Sequence, residues 1–119
     1  MAVTGIGGFF FRAKDPDALG AWYAHHLGVG GPPYGQWETQ AGTSVFSPFK
    51  ADTDYFAVDR PWMLNFRVDD LDRLCDSLTA AGIDVIRDPA WDAPGVGRFV
   101  RIHDPEGNPI ELWEPSVAG

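Results

Sequence analysis

Residues 97–114 read GRFVRIHDPEGNPIELWE, two runs of alternating apolar and polar side chains around a cluster of turn formers, Asp104-Pro105-Glu106-Gly107-Asn108. Proline presets the φ of a turn, and Gly and Asn tolerate the positive φ that a chain reversal often needs. The two runs therefore pair as an antiparallel hairpin closed by a loop of about five residues. Side chains alternate along a strand, so Ile110 and Leu112 point one way and Glu111 and Trp113 the other. The first pair is core. A carboxylate beside a tryptophan is not needed to build a core, and it marks the surroundings of Glu111 as the place to expect a ligand.

Working back from the hairpin, Asp88 to Gly97 is a loop holding Pro89, Trp91 and Pro94, and Ile83 to Arg87 reads as a short strand. Leu71, Leu74, Cys75, Leu78 and Ala81 form a helical stripe that Asp69-Asp70 caps and Gly82 ends. Cys75 on that stripe is a buried, inert thiol. Trp62 to Val68 is a strand with Leu64, Phe66 and Val68 on one face. Lys50 to Pro61 has charge and proline but little periodicity and reads as a connecting loop, with a cover over a site as the alternative. Gln36 to Gln40 and Thr43 to Phe49 are short strands, and Gly30-Gly31-Pro32-Pro33 is a loop. A helix from Pro16 to Leu27 has Asp15 as its N-cap, Pro16 at its first position and Gly28 as its stop. Gly5 to Ala13 reads as a glycine-loosened start followed by an aromatic strand.

The two strand–helix joints repeat. Phe11 to Leu19 aligns with Phe66 to Leu74 at an offset of 55 residues, with Phe, Arg, Asp, Asp and Leu identical at equivalent places. Each half then runs strand, helix and about three strands, and two such units side by side make a curved sheet with helices on its outer face.

The totals narrow the partners. A chain of 119 residues is long enough for one domain with a real core, and 45% hydrophobic residues is ordinary for a globular protein. A formal charge of −8 argues against nucleic acid or an anionic membrane surface as partner. One cysteine excludes an internal disulfide and a thiolate zinc cluster. No apolar run approaches the roughly 18 residues of a membrane span, and no basic region leads into an apolar one at the N-terminus, so the cytoplasm is the expected location.

The FR-x-x-D joints, the helix ending in Leu27-Gly28 and above all the run DPEGNPIELWE carry a resemblance. The chain resembles the vicinal-oxygen-chelate superfamily, which includes glyoxalase I, bleomycin-resistance proteins and extradiol dioxygenases, over nearly its whole length. The resemblance implies an α+β fold of two βαβββ modules whose mixed sheet curls around a cavity, module one at about 5–58 and module two at about 60–116. It also implies a divalent metal in catalytic members, held by a His or similar residue in the first strand of each module and a Glu in the last. Counting back seven residues from each helix-capping Asp puts the first two positions at Gly8 and Met63, and the Glu of the last strand matches Glu111, the one ligand type of the three. A further carboxylate used by the lyases falls near Phe46 or Ser47 and is absent. His25, His26 and His103 read as surface or structural histidines. No metal or other cofactor is therefore expected.

Strand alternation gives the cavity lining. Gly8, Phe10 and Arg12 share one face, Met63, Asn65 and Arg67 share its repeat, and Phe99 and Arg101 face the same way as Glu111 and Trp113. Phe9 and Phe11, Leu64 and Phe66, and Val100 and Ile102 form the opposite layer under the helices. With Trp37 and Phe46 as further wall residues, the lining suits a flat, partly apolar ligand with an acidic or hydrogen-bonding group. Trp62 and Trp91 stand open as pocket wall or dimer contact. A structural ion pair of Glu111 with Arg12, Arg67 or Arg101 stands open beside ligand binding.

Three functions follow: metal-independent binding of a small molecule by a homodimer, as the drug-binding members imply; a metal-dependent lyase, isomerase or dioxygenase using Glu111; or a regulatory or structural dimer with a vestigial pocket. Any catalytic role falls to Glu111, which in an apolar pocket could also act as a base without metal.

Overall fold

A computed structural model of the protein describes residues 2–31 and 34–116; Pro32 and Pro33 of the expected loop lie outside them. Five regular elements follow in order: α1 (Pro16–Leu27), β1 (Leu64–Arg67), α2 (Leu71–Ala80), β2 (Gly97–His103) and β3 (Pro109–Pro115). A single 3-10 turn, Pro89–Trp91, lies in the loop before β2. The fold is α+β, with two helices and a small mixed sheet of order β1-β3-β2.

The hairpin forms in the expected register. Val100 pairs with Leu112, Arg101 with Glu111 and Ile102 with Ile110 across β2 and β3, and β1 runs parallel on the other side of β3 with Asn65 opposite Glu111. Val100, Ile102, Ile110 and Leu112 point away from Glu111 and are completely buried with Leu71 and Leu78 of α2; Leu19 and Tyr23 of α1 and Cys75 complete the core. Burying that apolar layer is what holds the helices on the sheet.

The internal repeat is visible in the two helix starts. Asp15 caps α1 by accepting from the Ala18 N–H at 3.1 Å, and Asp70 caps α2 by accepting from the Arg73 N–H at 3.2 Å. Their backbones are nearly superimposable, with φ, ψ of −130°, 86° and −141°, 83°. Gly28 ends α1 in the left-handed conformation at φ 68°, where a side chain would be strained.

The hairpin also holds both helix starts in place. The Glu106 carboxylate, in the turn, accepts the Lys14 and Asp15 N–H groups at 2.7 and 3.1 Å. The Glu114 carboxylate, at the other end of β3, accepts the Leu71 N–H at 2.9 Å and takes the Arg98 guanidinium at 2.9 Å. Arg60 clamps the turn from the far side, donating to Asn108 Oδ1 and to the Glu106 carbonyl, each at 3.0 Å.

The expected strands at 5–13, 36–40, 43–49 and 83–87 do not form among the described residues. A strand exists through hydrogen bonds to a neighbour, and among the described residues these segments have no ladder partner. The last of them keeps one bridge, with N–H to carbonyl distances of 2.9 Å both ways between Ile86 and Arg101. The apolar alternation of the first half is therefore left on the surface, with Phe10 94% and Phe46 90% exposed. Phe11 packs against the core as expected, whereas Phe9 stays 46% exposed; both rings lie edge-on to Trp62, at separations of 5.3 and 5.0 Å. The strand expected from Trp62 to Val68 is trimmed to Leu64–Arg67.

Candidate ligand site

The face of the sheet opposite the core is centred on Glu111. Because β3 is the middle strand, its side chain is flanked by Asn65 from β1 and Arg101 from β2. Only 7% of Glu111 is exposed, so its carboxylate requires partners. Asn65 Nδ2 donates to Oε1 at 2.7 Å, and the Tyr55 hydroxyl donates to Oε2 at 2.5 Å. Two residues further along, on the same face, Phe99 and Trp113 stack with rings 6.2 Å apart and 3° from parallel. The Trp113 indole N–H is anchored on the Val96 carbonyl at 2.9 Å.

Tyr55 comes from the segment 50–61. Its ring meets Phe49 at 5.7 Å and Trp91 at 6.0 Å, and both Tyr55 and Trp91 lie against the Arg101 guanidinium, with centroids 5.0 and 5.3 Å from its central carbon. These are cation–π distances. The segment read from sequence as a connecting loop has no helix or strand and brings the Tyr55 side chain onto the Glu111 carboxylate. Tyr55 was not among the residues the sequence singled out; the one signal for it is the aromatic pair Tyr55-Phe56 inside an otherwise charged, aperiodic stretch.

Burial pushes the Tyr55 phenol up to about 12, helped by the hydrogen bond and charge of Glu111 and opposed by Arg101. Tyr55 is therefore a neutral donor at ordinary pH. The unfolded phenol ionises near 10.0, so the stabilisation from this contact is whole below that value and drains away as pH rises toward about 12. A titration followed by the NMR shift of the Tyr55 ring carbon bearing the hydroxyl should have its midpoint near 12, lowered in Glu111→Gln. A midpoint at the ordinary value in the wild type would mean that the phenol does not rest on the carboxylate.

The structure brings together Asn65, Arg101, Glu111, Phe99 and Trp113 from the expected lining. It places Phe10, Arg12, Trp37, Phe46 and Arg67 otherwise. Phe10, Arg12 and Phe46 are exposed, and Trp37, also exposed, packs instead edge-on against Phe66 at 6.0 Å. Arg67 donates to the Gln40 carbonyl at 2.8 Å, and Met63 is half-buried. Among the described residues, no ion pair forms between Glu111 and any arginine; the three pairs are Arg87–Asp72, Arg98–Asp72 and Arg98–Glu114. The reason is geometric: Asn65 and Tyr55 occupy both carboxylate oxygens, Arg67 lies two residues along β1 opposite Trp113, and Arg101 turns to the rings.

The residues present do not fit the divalent metal of the catalytic superfamily members. Gly8 has no side chain to offer, Met63 is a soft thioether unsuited to a hard ion, and Glu111 already holds two donors. Among the described residues, no three His, Cys, Asp or Glu side chains come together as a possible metal set. The face thus gathers a carboxylate, an amide, a guanidinium and several aromatic rings around one position of the sheet.

A glyoxalase-like domain profile matches residues 8–113. CFP32 of Mycobacterium tuberculosis, a glyoxylase by name, is 41% identical over 59 residues, which is 50% of this chain and 22% of that protein, so the match spans under a quarter of it. Among solved structures, TnmS3, an antibiotic binding protein from Streptomyces sp. CB03234, is 26% identical with 98% of this chain and 99% of that one covered, at a TM-score of 0.62. A member of the glyoxalase/bleomycin resistance protein/dioxygenase superfamily from Sphaerobacter thermophilus shares the fold, at 19% identity, 96% and 99% coverage and a TM-score of 0.61.

Proposed function

The chain belongs to the glyoxalase-like domain family, and we propose that within it this protein binds a small, partly apolar or aromatic molecule without a metal ion. The observation that carries the reading is the Glu111 face: a buried carboxylate whose partners are a tyrosine and an asparagine, bordered by Trp91, Phe99, Trp113 and Arg101. Its polar groups are few and convergent and its walls are aromatic, as small-molecule sites are. The full-length likeness to an antibiotic binding protein supports binding as the activity.

The finer architecture belongs to the same proposal. A second copy of the chain supplies the ladder partners that the first-half segments lack, completing two βαβββ modules, about 5–58 and about 60–116, around a cavity and covering exposed apolar side chains such as Ile6, Phe10, Val45 and Phe46. Light scattering should then give twice the 13.0 kDa chain mass. A monomer at micromolar concentration would remove the dimer from the reading.

The binding test is a thermal-shift panel of planar aromatic compounds, aromatic antibiotics included, on protein before and after treatment with a chelator. A ligand present at a hundred times its Kd stabilises the folded state by about 2.7 kcal/mol, so a rise in Tm is expected, equal in both preparations. No shift with any compound, or shifts that appear only when a divalent metal is restored, would overturn the proposal.

A further inference from the structure

Arg101 is 6% exposed, yet among the described residues its buried Nε and Nη2 atoms have no hydrogen-bond partner. These are no arbitrary pair. They form the edge of the guanidinium whose two N–H bonds run parallel, the fork that grips both oxygens of a carboxylate or similar group. Its faces have company, since the Tyr55 and Trp91 rings lie against it. Its edge has none, because Glu111, directly opposite on β3, has given its oxygens to Tyr55 and Asn65. A buried charged donor left unpaired is costly, and a fold that keeps one holds it ready for an acceptor from outside.

We infer that Arg101 is the acid-binding group of the site and that Tyr55 is the side chain an incoming ligand displaces. The ligand class is a planar aromatic compound carrying a two-oxygen acidic group and, near it, an N–H or O–H. The acid takes the Nε/Nη2 edge of Arg101, the ring takes the place of the Tyr55 phenol beside Trp91, and the ligand's own donor replaces the Tyr55 hydroxyl on Glu111. That third element matters because an anion without a donor would leave the Glu111 carboxylate facing like charge. Tyr55 is suited to leave: it belongs to no helix or strand, and its segment is tied back at its end by Arg60. The inference rests on the reading of this face as a ligand site and adds the charge of the ligand and the residue that selects it.

Two fluorescent probes separate the ideas. N-phenyl-1-naphthylamine and 8-anilinonaphthalene-1-sulfonate share the ring system and the bridging N–H, and only the second carries a sulfonate. Titrated into the full chain, the sulfonate is expected to bind about tenfold or more tightly than the neutral amine, and Arg101→Gln is expected to bring the ratio of the two constants close to one. In wild-type protein, independently of how well that variant folds, the Arg101 Nε–H signal should move on adding the sulfonate and stay in place with the amine. Equal binding of both probes by wild type, an unchanged ratio in Arg101→Gln, or an unmoved Nε–H signal would overturn the inference while leaving the neutral-ligand reading intact. Failure of both probes to bind would remove the ligand site itself.

Discussion

Replacing Asp104 by alanine is expected to destabilise the protein by about 3–5 kcal/mol, since each buried donor left without its acceptor costs roughly 1–3 kcal/mol. Asp104 is 4% exposed and accepts four hydrogen bonds. Its Oδ1 takes the Glu106 and Asn108 N–H groups at 2.9 and 3.0 Å; its Oδ2 takes the Tyr23 hydroxyl at 2.7 Å and the Asn108 amide at 2.8 Å. Every lone-pair direction of the carboxylate is thus in use. Alanine would leave the Tyr23 hydroxyl and the Asn108 amide without an acceptor and would loosen the turn that fixes the β2–β3 register. Tyr23→Phe removes only one of the four bonds and should cost roughly 1–2 kcal/mol. Urea unfolding at fixed protein concentration measures both. A loss below about 1 kcal/mol for Asp104→Ala would mean that the turn closes without it.

Leu112→Ala should cost a comparable amount, about 3–5 kcal/mol, for a different reason. Leu112 is fully buried on the middle strand, lies between Phe66 and Val100 in register, and faces the layer made by Leu71, Cys75 and Leu78. Three of the sheet's elements would have to move together to fill the space, and strand hydrogen bonds resist that. Because Leu112 and Glu111 are neighbours on opposite faces, the substitution separates fold from site: unfolding should come at lower urea while the Tyr55–Glu111 contact persists in the folded fraction. A cost under about 1.5 kcal/mol would indicate a core loose enough to collapse around the gap.

The hairpin, both helices, their caps and the division of β3 into a core face and a site face were legible in the sequence because each rests on local chemistry. Asp15, Pro16 and Gly28 bound α1 whatever surrounds it, and a five-residue turn sets the parity of Ile110 against Glu111. The first-half strands were not legible in the same sense. Alternation at Phe9, Phe10 and Phe11 states which side chains share a face, but it does not supply the neighbour whose backbone completes a ladder. The site shows the same division. Asn65, Arg101 and Glu111 follow from register, whereas Tyr55 reaches Glu111 from an aperiodic loop, by a contact spanning 56 positions that no local pattern encodes.

The carboxylates that hold the helix starts have a consequence for how the chain reaches its native state. Glu106 lies 92 positions after Lys14, the residue whose N–H it accepts, and Tyr23 waits 81 positions for Asp104. During synthesis α1 leaves the ribosome long before anything that can seat it, and its core residues Leu19 and Tyr23 spend that interval uncovered. Closing loops of that size precedes the contacts that reward it, which places the rate-limiting step late, at the arrival of the hairpin. Chaperone engagement is then to be looked for on nascent chains that stop short of Asp104, and release on chains that extend past Glu114.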